Sequence, residues 1–599
     1  MSRPRTAQEI VHWLEVGGGA RGLRLAALLA VALMLSLRVA WTQFRGPLSE
    51  STLIQADMGR QLARGQGFTT QVNYPQTSAA MAARGRGFDA RQPYPELHHA
   101  PLYAVAVAGA LAVLPAGLRE AWFVSAPVPP DGFMPDYVLL GLNLLLFWIA
   151  VGLSYRLARR LFDLRTAVLA AGAVLLSSPL WQATAAVNGT PLLMVLALAA
   201  FLLWHRLEED AAGSGSLARV GLVAAGLGGV GGLLFLAEYS AGALAAVALI
   251  YTVLTFGASR RVVVTLALCA GFAAVTTPWL VRNVALTGHP VALARYNVAL
   301  KFGDPTAEPA TLRTSLATAA PAVDLKKLGN KVLTALQENL KSRLWSGGAM
   351  WFAAFFVAGW LYAFRTPAVN KLRWVFTATF GVLLLAQASL NSGESERLVT
   401  VWMAPLVIVF GAGFFGVLLG SNARLSAWPK LTMAVLLGVQ ALPLVHSLLE
   451  PRRLHFQYPP YFPSLFQGMR QELQRREAAP RFGIMADVPA GVAWYGQTRV
   501  WALPPRLRDF YAVTLQQPIG ELLLTPRTLD RPFFTELNAR PILPGAMSAV
   551  PNRFGEWGEI YAGLLTGALP REFPLAAPQK LAENLYVLMN PALPPVRGK

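Results

Sequence analysis

Runs of about 20 apolar residues, the length that crosses a ~30 Å bilayer core as a helix, recur along the chain from Leu25 to Leu449. They predict spans near 24–43, 136–154, 166–186, 190–205, 219–236, 240–257, 261–281, 345–364, 374–391, 399–418 and 431–449, with a twelfth apolar run at 101–118. Beyond residue 450 the pattern changes. Short β-rich runs (FGIMAD, RVWALP, ELLLTP, NLYVLM) alternate with helix-like stretches such as LRDFYAVTLQQ and PFFTELNA, which predicts a compact α/β unit. The expected architecture is an all-α polytopic membrane protein of about 11 to 13 transmembrane helices in residues 1–449, followed by a small α/β domain in 450–599.

Charge then sets orientation. Loops holding Arg156, Arg159, Arg160 and Arg165, then Arg206 and Arg219, Arg260 and Arg261, Arg365, Lys371 and Arg373, and Arg424 and Lys430, alternate with loops poor in Lys and Arg. Placing the first set in the cytoplasm with the N-terminus gives a parity that works only if 101–118 does not cross alone. That run reads as an interfacial or re-entrant helix, or as half of a pair. The loop 44–100, the turns at Asn188 and Glu238, the large loop 282–344, the turn NSGESER and the whole C-terminal unit are then extracytoplasmic, and periplasmic in a bacterium. Any chemistry belongs on that side. The first apolar run lacks a small-residue cleavage site and reads as a retained span of a multi-pass cell-membrane protein.

A chain of 599 residues with 54% hydrophobic and 14% charged residues is too apolar for an ordinary soluble protein. Its net charge of +20 would suggest nucleic acid in a soluble protein. In a membrane protein the same charge anchors topology and meets lipid headgroups and phosphates, so no nucleic-acid partner is expected. The single cysteine, Cys269, excludes an internal disulfide and a thiol metal cluster. Gly226, Gly228 and Gly231 fit a dinucleotide pattern but lie inside a span, where small residues predict close helix packing. Asn188-Gly189-Thr190 fits a glycosylation sequon in a tight turn between spans. P-loop, G-x-S-x-G and H-E-x-x-H motifs are absent from the sequence.

Candidate chemistry collects at the outer ends. In PLSESTLIQADMGRQLARGQGF, helical steps of 100° place Glu50, Asp57, Arg60 and Arg64 in one polar sector and Ile54, Met58 and Leu62 in another. This predicts an amphipathic helix at the membrane surface with its charges turned from lipid. Arg282 and Asn283 end one span, Arg397 precedes another, and Glu238 and Tyr239 lie at a third outer turn. YPELHHAPLY brings His98 and His99, beside Glu96, to the mouth of the 101–118 run. Adjacent histidines do not share a helix face, although the acid beside them leaves room for a metal. Ionisable groups at a membrane edge must snorkel, pair or line a polar cavity.

Taken together, these residues resemble the C-type membrane glycosyltransferases, the family of protein O-mannosyltransferases and lipid A aminoarabinose transferases. The resemblance rests on Glu50 with Asp57-Met-Gly-Arg60, the Gly65 and Gly67 turn, Ala100-Pro101-Leu102-Tyr103, Arg159-Arg160 and Ser177-Ser178-Pro179. Pro278-Trp279-Leu280-Val281-Arg282-Asn283 with Gly288 and Pro290, and Glu396-Arg397, complete it. It covers most of residues 24–449. Where relatives carry an acidic pair in the first loop this chain has Glu50 between two serines, and it has Asn188 where some carry an acid.

The resemblance implies transfer of a sugar from a polyprenyl-phosphate carrier to a lipid, polysaccharide or protein acceptor, with the donor and membrane lipids as partners. It implies Glu50 as base with Asp57 second, and Arg282, Asn283 and Arg397 at the phosphate. His98, His99, Glu238, Tyr239 and Asn188 are further candidates. It fixes no cofactor, and a divalent metal stays open. A transporter or flippase of a lipid-linked or anionic substrate would need polar, broken helices at the midplane. A noncatalytic envelope scaffold would leave Glu50 far from Arg282 and Arg397.

Overall fold

A computed structural model describes residues 18–87, 89, 92–124, 132–213, 216–299, 316, 323–390, 397–421, 427–450, 463–504, 506–526, 557–582 and 585–595. The turn 391–396, with Glu396, and the helix-like stretch 532–539 lie outside the described residues.

Seven described helices are long and apolar enough to cross a membrane: Met134–Leu161, Thr190–Ala212, Leu217–Ala237, Ala258–Thr287, Pro367–Leu390, Ala404–Ser421 and Pro429–Leu449. Three further apolar stretches are bent pairs, turned by 109° between Leu102–Ala112 and Ala116–Val124, by 51° between Leu164–Leu175 and Ser178–Ala185, and by 115° after Leu325–Ser346. The runs predicted at 24–43 and 240–257 form shorter apolar helices, Leu29–Thr42 and Tyr239–Thr255.

Prolines explain two of the breaks. Pro115 and Pro179 cannot continue a helix's hydrogen bonds, so the 101–118 run turns sharply instead of crossing as one straight rod. At the second break Ser177 Oγ donates to the Gly348 carbonyl at 2.6 Å. The glycine pattern in Leu217–Ala237 acts in packing. A Cβ on Gly228 would lie 2.0 Å from the Leu268 carbonyl oxygen, and one on Gly271 2.0 Å from that of Ala225, so two spans touch backbone to backbone.

The four β-rich runs of the C-terminal unit all form strands. Numbered along the chain, β1 is Thr69–Thr70, β2 Val72–Asn73, β3 Tyr94–Pro95, β4 Gly483–Ala486, β5 Val500–Ala502, β6 Ile519–Leu524, β7 Ala576–Ala582 and β8 Leu585–Met589. Six of them make one sheet in the order β2-β5-β4-β6-β8-β7. The first four are parallel neighbours and the last two antiparallel. Side chains alternate across it. Ile484, Ala486, Val500, Ala502 and Leu523 pack on one face, and Met485, Trp501, Leu522 and Leu524 on the other. Helices Pro489–Gly496 and Leu507–Gln516 connect the parallel strands β4 to β5 and β5 to β6.

Strand β2 comes from the first loop, so that loop and the C-terminal unit share a sheet. They also share a core, in which Leu53, Ile54, Val72 and Tyr74 pack with Tyr103, Phe123, Ile484 and Trp494. The first-loop helix, Glu50–Ala63, starts at Ser49, whose side chain accepts from Thr52 N, an ordinary N-cap. Every residue from Thr52 to Gln61 is buried.

That burial corrects the expected surface helix. A Cβ on Gly59 would lie 2.7 Å from Val107 Cγ1 and 2.8 Å from the Ala104 carbonyl oxygen, so the helix presses directly on Leu102–Ala112. Pro489–Gly496 packs against its other side, through the shared core. The polar sector faces protein groups where the sequence pattern alone implied water.

Candidate functional site

The candidate residues gather where this outer layer meets the end of the bundle. Asp57 and Arg60 form a fully buried ion pair, at 0% and 1% exposure. Asp57 Oδ2 also accepts from Thr70 Oγ1 at 2.8 Å and Gln71 N at 2.7 Å. Arg60 donates to the carbonyls of Ala493 at 2.8 Å and Trp494 at 3.0 Å, and to Gln71 Oε1. Every distance here ties the helix to β1, β2 and the C-terminal unit. Glu50, two turns earlier, is half-buried, and Tyr74 donates its hydroxyl to Glu50 Oε1 at 2.6 Å.

Around Glu96 the loop closes on itself. Glu96 Oε1 accepts from His98 N at 2.7 Å, His99 N at 3.0 Å and His99 Nδ1 at 3.0 Å. Burial alone would raise this carboxyl. The charge and hydrogen bond of His99, with His98, outweigh burial and bring it down to about 2. His98 Nε2 lies 3.3 Å from Thr77 Oγ1, and its ring stands edge-on to Tyr74 at 5.3 Å. The two histidines are thus organised by an acid through backbone as well as side chain. Among the described residues no group of three or more His, Cys, Asp or Glu is arranged to hold a metal ion.

Two arginines join this loop to the spans. Arg282, near the end of Ala258–Thr287, donates to the carbonyls of Phe68 at 2.8 Å and Glu96 at 3.1 Å and to Asn283 Oδ1 at 3.0 Å. Its guanidinium lies over Trp279, 4.5 Å from the ring centre, a cation–π contact. Trp279 Nε1 donates to the Tyr239 hydroxyl at 2.9 Å, and that hydroxyl reaches the His99 carbonyl at 3.5 Å. Asn283 is fully buried and donates to the Pro290 carbonyl at 2.9 Å.

Arg397 spends its fork on two turns and the first-loop helix. Nε donates to the Asn188 carbonyl at 2.5 Å, Nη1 to that of Ala237 at 2.9 Å, and Nη2 to Gln55 Oε1 at 2.6 Å. Glu238 Oε2 lies 3.5 Å from Nη1, and the Tyr103 ring lies under the guanidinium. Asn188 Oδ1 turns back to accept from Thr190 N and Oγ1. A Cβ on Gly189 would lie 2.6 Å from the Tyr103 ring, and this glycine adopts φ +78°.

The structure therefore brings Glu50, His98, His99, Tyr239, Arg282 and Asn283 into one chain of contacts, and Asn188, Glu238 and Arg397 into a second. The first-loop helix joins them, with Glu50 at its start and Gln55 holding Arg397. Gln55, Tyr74 and Asn143, whose amide donates to the Tyr103 hydroxyl at 2.8 Å, are site residues that the sequence pattern did not single out. Their residue types are common, and only the tertiary contacts mark them.

No family model matches this chain, and no curated protein matches it in sequence. Solved structures do match in shape. ArnT from Cupriavidus metallidurans bound to undecaprenyl phosphate aligns over 96% of this chain and 99% of its own, with a TM-score of 0.53 at 12% identity. The Archaeoglobus fulgidus oligosaccharyltransferase, in complex with zinc and sulfate, aligns over 85% of this chain and 69% of its own, with a TM-score of 0.54 at 14% identity. The chain shares their fold. The likeness to ArnT runs through the bundle, the first loop and the C-terminal unit alike, since almost nothing of either chain is left over.

Proposed function

We propose that this chain is a membrane glycosyltransferase that moves a sugar from a polyprenyl-phosphate carrier to a lipid, polysaccharide or protein acceptor at the extracytoplasmic face. The observation that carries the reading is the end-to-end fold match to an ArnT structure holding undecaprenyl phosphate. The half-buried Glu50, at the junction of bundle and outer layer, supplies the chemistry. Its carboxylate takes the acceptor's proton, which requires reach of about 2.6–3.2 Å. The acceptor oxygen bonds to the sugar's anomeric carbon while the bond from that carbon to the phosphate oxygen breaks, releasing polyprenyl phosphate.

A guanidinium matches phosphate oxygens with fixed donors and stays charged beside a low-dielectric wall. Arg282 is half-buried and suits the phosphate. Arg397, 6% exposed and engaged on two turns and the first-loop helix, suits the task of holding the floor of the site together. Asp57 is sealed in its pair with Arg60, which favours a framework role for it over proton transfer. The Arg- and Lys-bearing turns meet at the opposite end of the bundle, where Lys371 pairs with Glu208 and Arg219 with Asp210. This supports a cytoplasmic N-terminus with the site and C-terminal unit outside.

The test is to incubate purified protein in lipid nanodiscs with a panel of polyprenyl-phosphate sugars and an envelope extract as acceptor, and to measure which donors are consumed. One donor should be consumed by the native protein and spared by well-folded Glu50→Gln. Failure to consume any donor would overturn the enzyme reading, and full activity in Glu50→Gln would overturn the assignment of the base.

A further inference from the structure

A two-residue strand has no independent stability, yet β2 is ordered enough to place the residue that follows it. Val72 pairs with Val500 and Asn73 with Trp501, and Val500 N donates to the Gln71 carbonyl at 2.9 Å. Tyr74 comes next, 1% exposed. It is the last residue before the Pro75–Ala82 helix, which starts with proline and so fixes the backbone direction at once. The tyrosine ring is held in the shared core and edge-on to His98. Its hydroxyl is aimed from this frame at Glu50 Oε1, 2.6 Å away.

The helix that bears Glu50 is anchored to the same frame from its other side, through Arg60 and the carbonyls of Ala493 and Trp494. A carboxylate at the first turn of a helix can turn about its side-chain bonds. A donor fixed on one of its oxygens sets the plane in which the other can meet an acceptor hydroxyl.

We infer that Tyr74 is a positioning residue for Glu50, and that the C-terminal sheet, acting through β5 and β2, is the frame that holds this carboxylate in its working orientation. The inference rests on the reading of Glu50 as the base. It gives the C-terminal unit a part in the reaction although none of its own side chains need touch the sugar.

Tyr74→Phe keeps the ring and removes the hydroxyl. With rates taken per folded molecule from a monodisperse preparation, kcat should fall about tenfold or more, the scale of a small misplacement at a reacting group. KM for the lipid-linked donor should stay within about twofold. A purely structural tyrosine would lower the yield of folded protein without this split.

The second arm repeats the change in Glu50→Asp, whose shorter side chain does not reach the hydroxyl. There Tyr74→Phe should add little, because two residues acting as one unit are non-additive. A native kcat in Tyr74→Phe, or an equal loss in both backgrounds, overturns the inference. Full activity in Glu50→Gln overturns the base assignment instead, so the two failures are distinct.

Discussion

Two acids of one helix, seven positions apart, have opposite surroundings. Asp57 sits at 0% exposure against an arginine and two other donors. Glu50 is half-buried under a tyrosine hydroxyl at the edge of the bundle. Helical spacing put both in one polar sector, and their residue type is nearly the same. What separates them is the cover: Asp57 is sealed by Thr70, Gln71 and an Arg60 tied to the Ala493 and Trp494 carbonyls, while Glu50 stays half-buried. A shared face on a helix is therefore weak evidence for a shared role; the cover over each residue decides.

The contrast can be broken most sharply at Glu50. Glu50→Gln should lower transfer by about 10²–10⁴-fold, the range for losing a general base, while the thermal midpoint in detergent stays where it was. Asp57→Asn should do the reverse. It leaves Arg60 as a buried, uncompensated charge, costing about 3–5 kcal/mol, read as a large drop in thermal midpoint or in folded yield. Activity measured on whatever folds should then remain.

A smaller effect is expected at Gly59→Ala. The added carbon meets Val107 and the Ala104 backbone, and overpacking of this kind costs about 1–3 kcal/mol. Denaturation monitored by tryptophan fluorescence checks it.

A further effect lies in pH dependence, and it separates the seam from the sheet. Glu96, whose carboxyl is held at about 2 against an ordinary 4.5, contributes stability that is present above 4.5 and lost as pH falls toward 2. Glu521 behaves oppositely. It is 1% exposed, and among the described residues neither of its oxygens has a hydrogen-bond partner. Burial, with Glu472 nearby and Arg476 opposing, pushes it up to about 8. Its proton is bound more tightly in the folded state, so stability is full below 4.5 and declines as pH rises through about 8. Glu521→Gln should remove that decline and stabilise the protein at alkaline pH, measured as thermal midpoint against pH. An unchanged slope between pH 4.5 and about 8 would show that Glu521 is not its source.

The bundle was legible because bilayer thickness and turn charge act locally on the sequence, and the C-terminal strands because short β-rich runs sit between turn residues. Charge parity predicts only that the 101–118 run does not cross alone; the 109° bend beside Pro115 is a feature that the structure adds. The first-loop helix was found, but its surroundings were misread. Ile54 and Met58 look like a lipid-facing stripe, and nothing near them in the chain reveals that Trp494 and Tyr495 will cover the same helix. Arg282 and Arg397 were visible as charges at span ends, whereas the tyrosine that contacts Glu50 and the glutamine that contacts Arg397 carry no local signal. Sequence patterns report which solvent a residue prefers. They do not report a partner that arrives from hundreds of residues away.

That separation has a consequence for how the protein is made. Arg60 donates to the carbonyl of a residue 434 positions later, and β2 pairs with a strand equally distant in the chain. Contacts of such sequence separation form late, and during synthesis the first loop emerges long before its partner exists. Until the last quarter of the chain has been translated, the loop bearing Glu50 must wait with an unpaired strand edge and a buried-type ion pair open to water. Premature termination anywhere before the sheet would then leave a membrane bundle that inserts normally and has no working site.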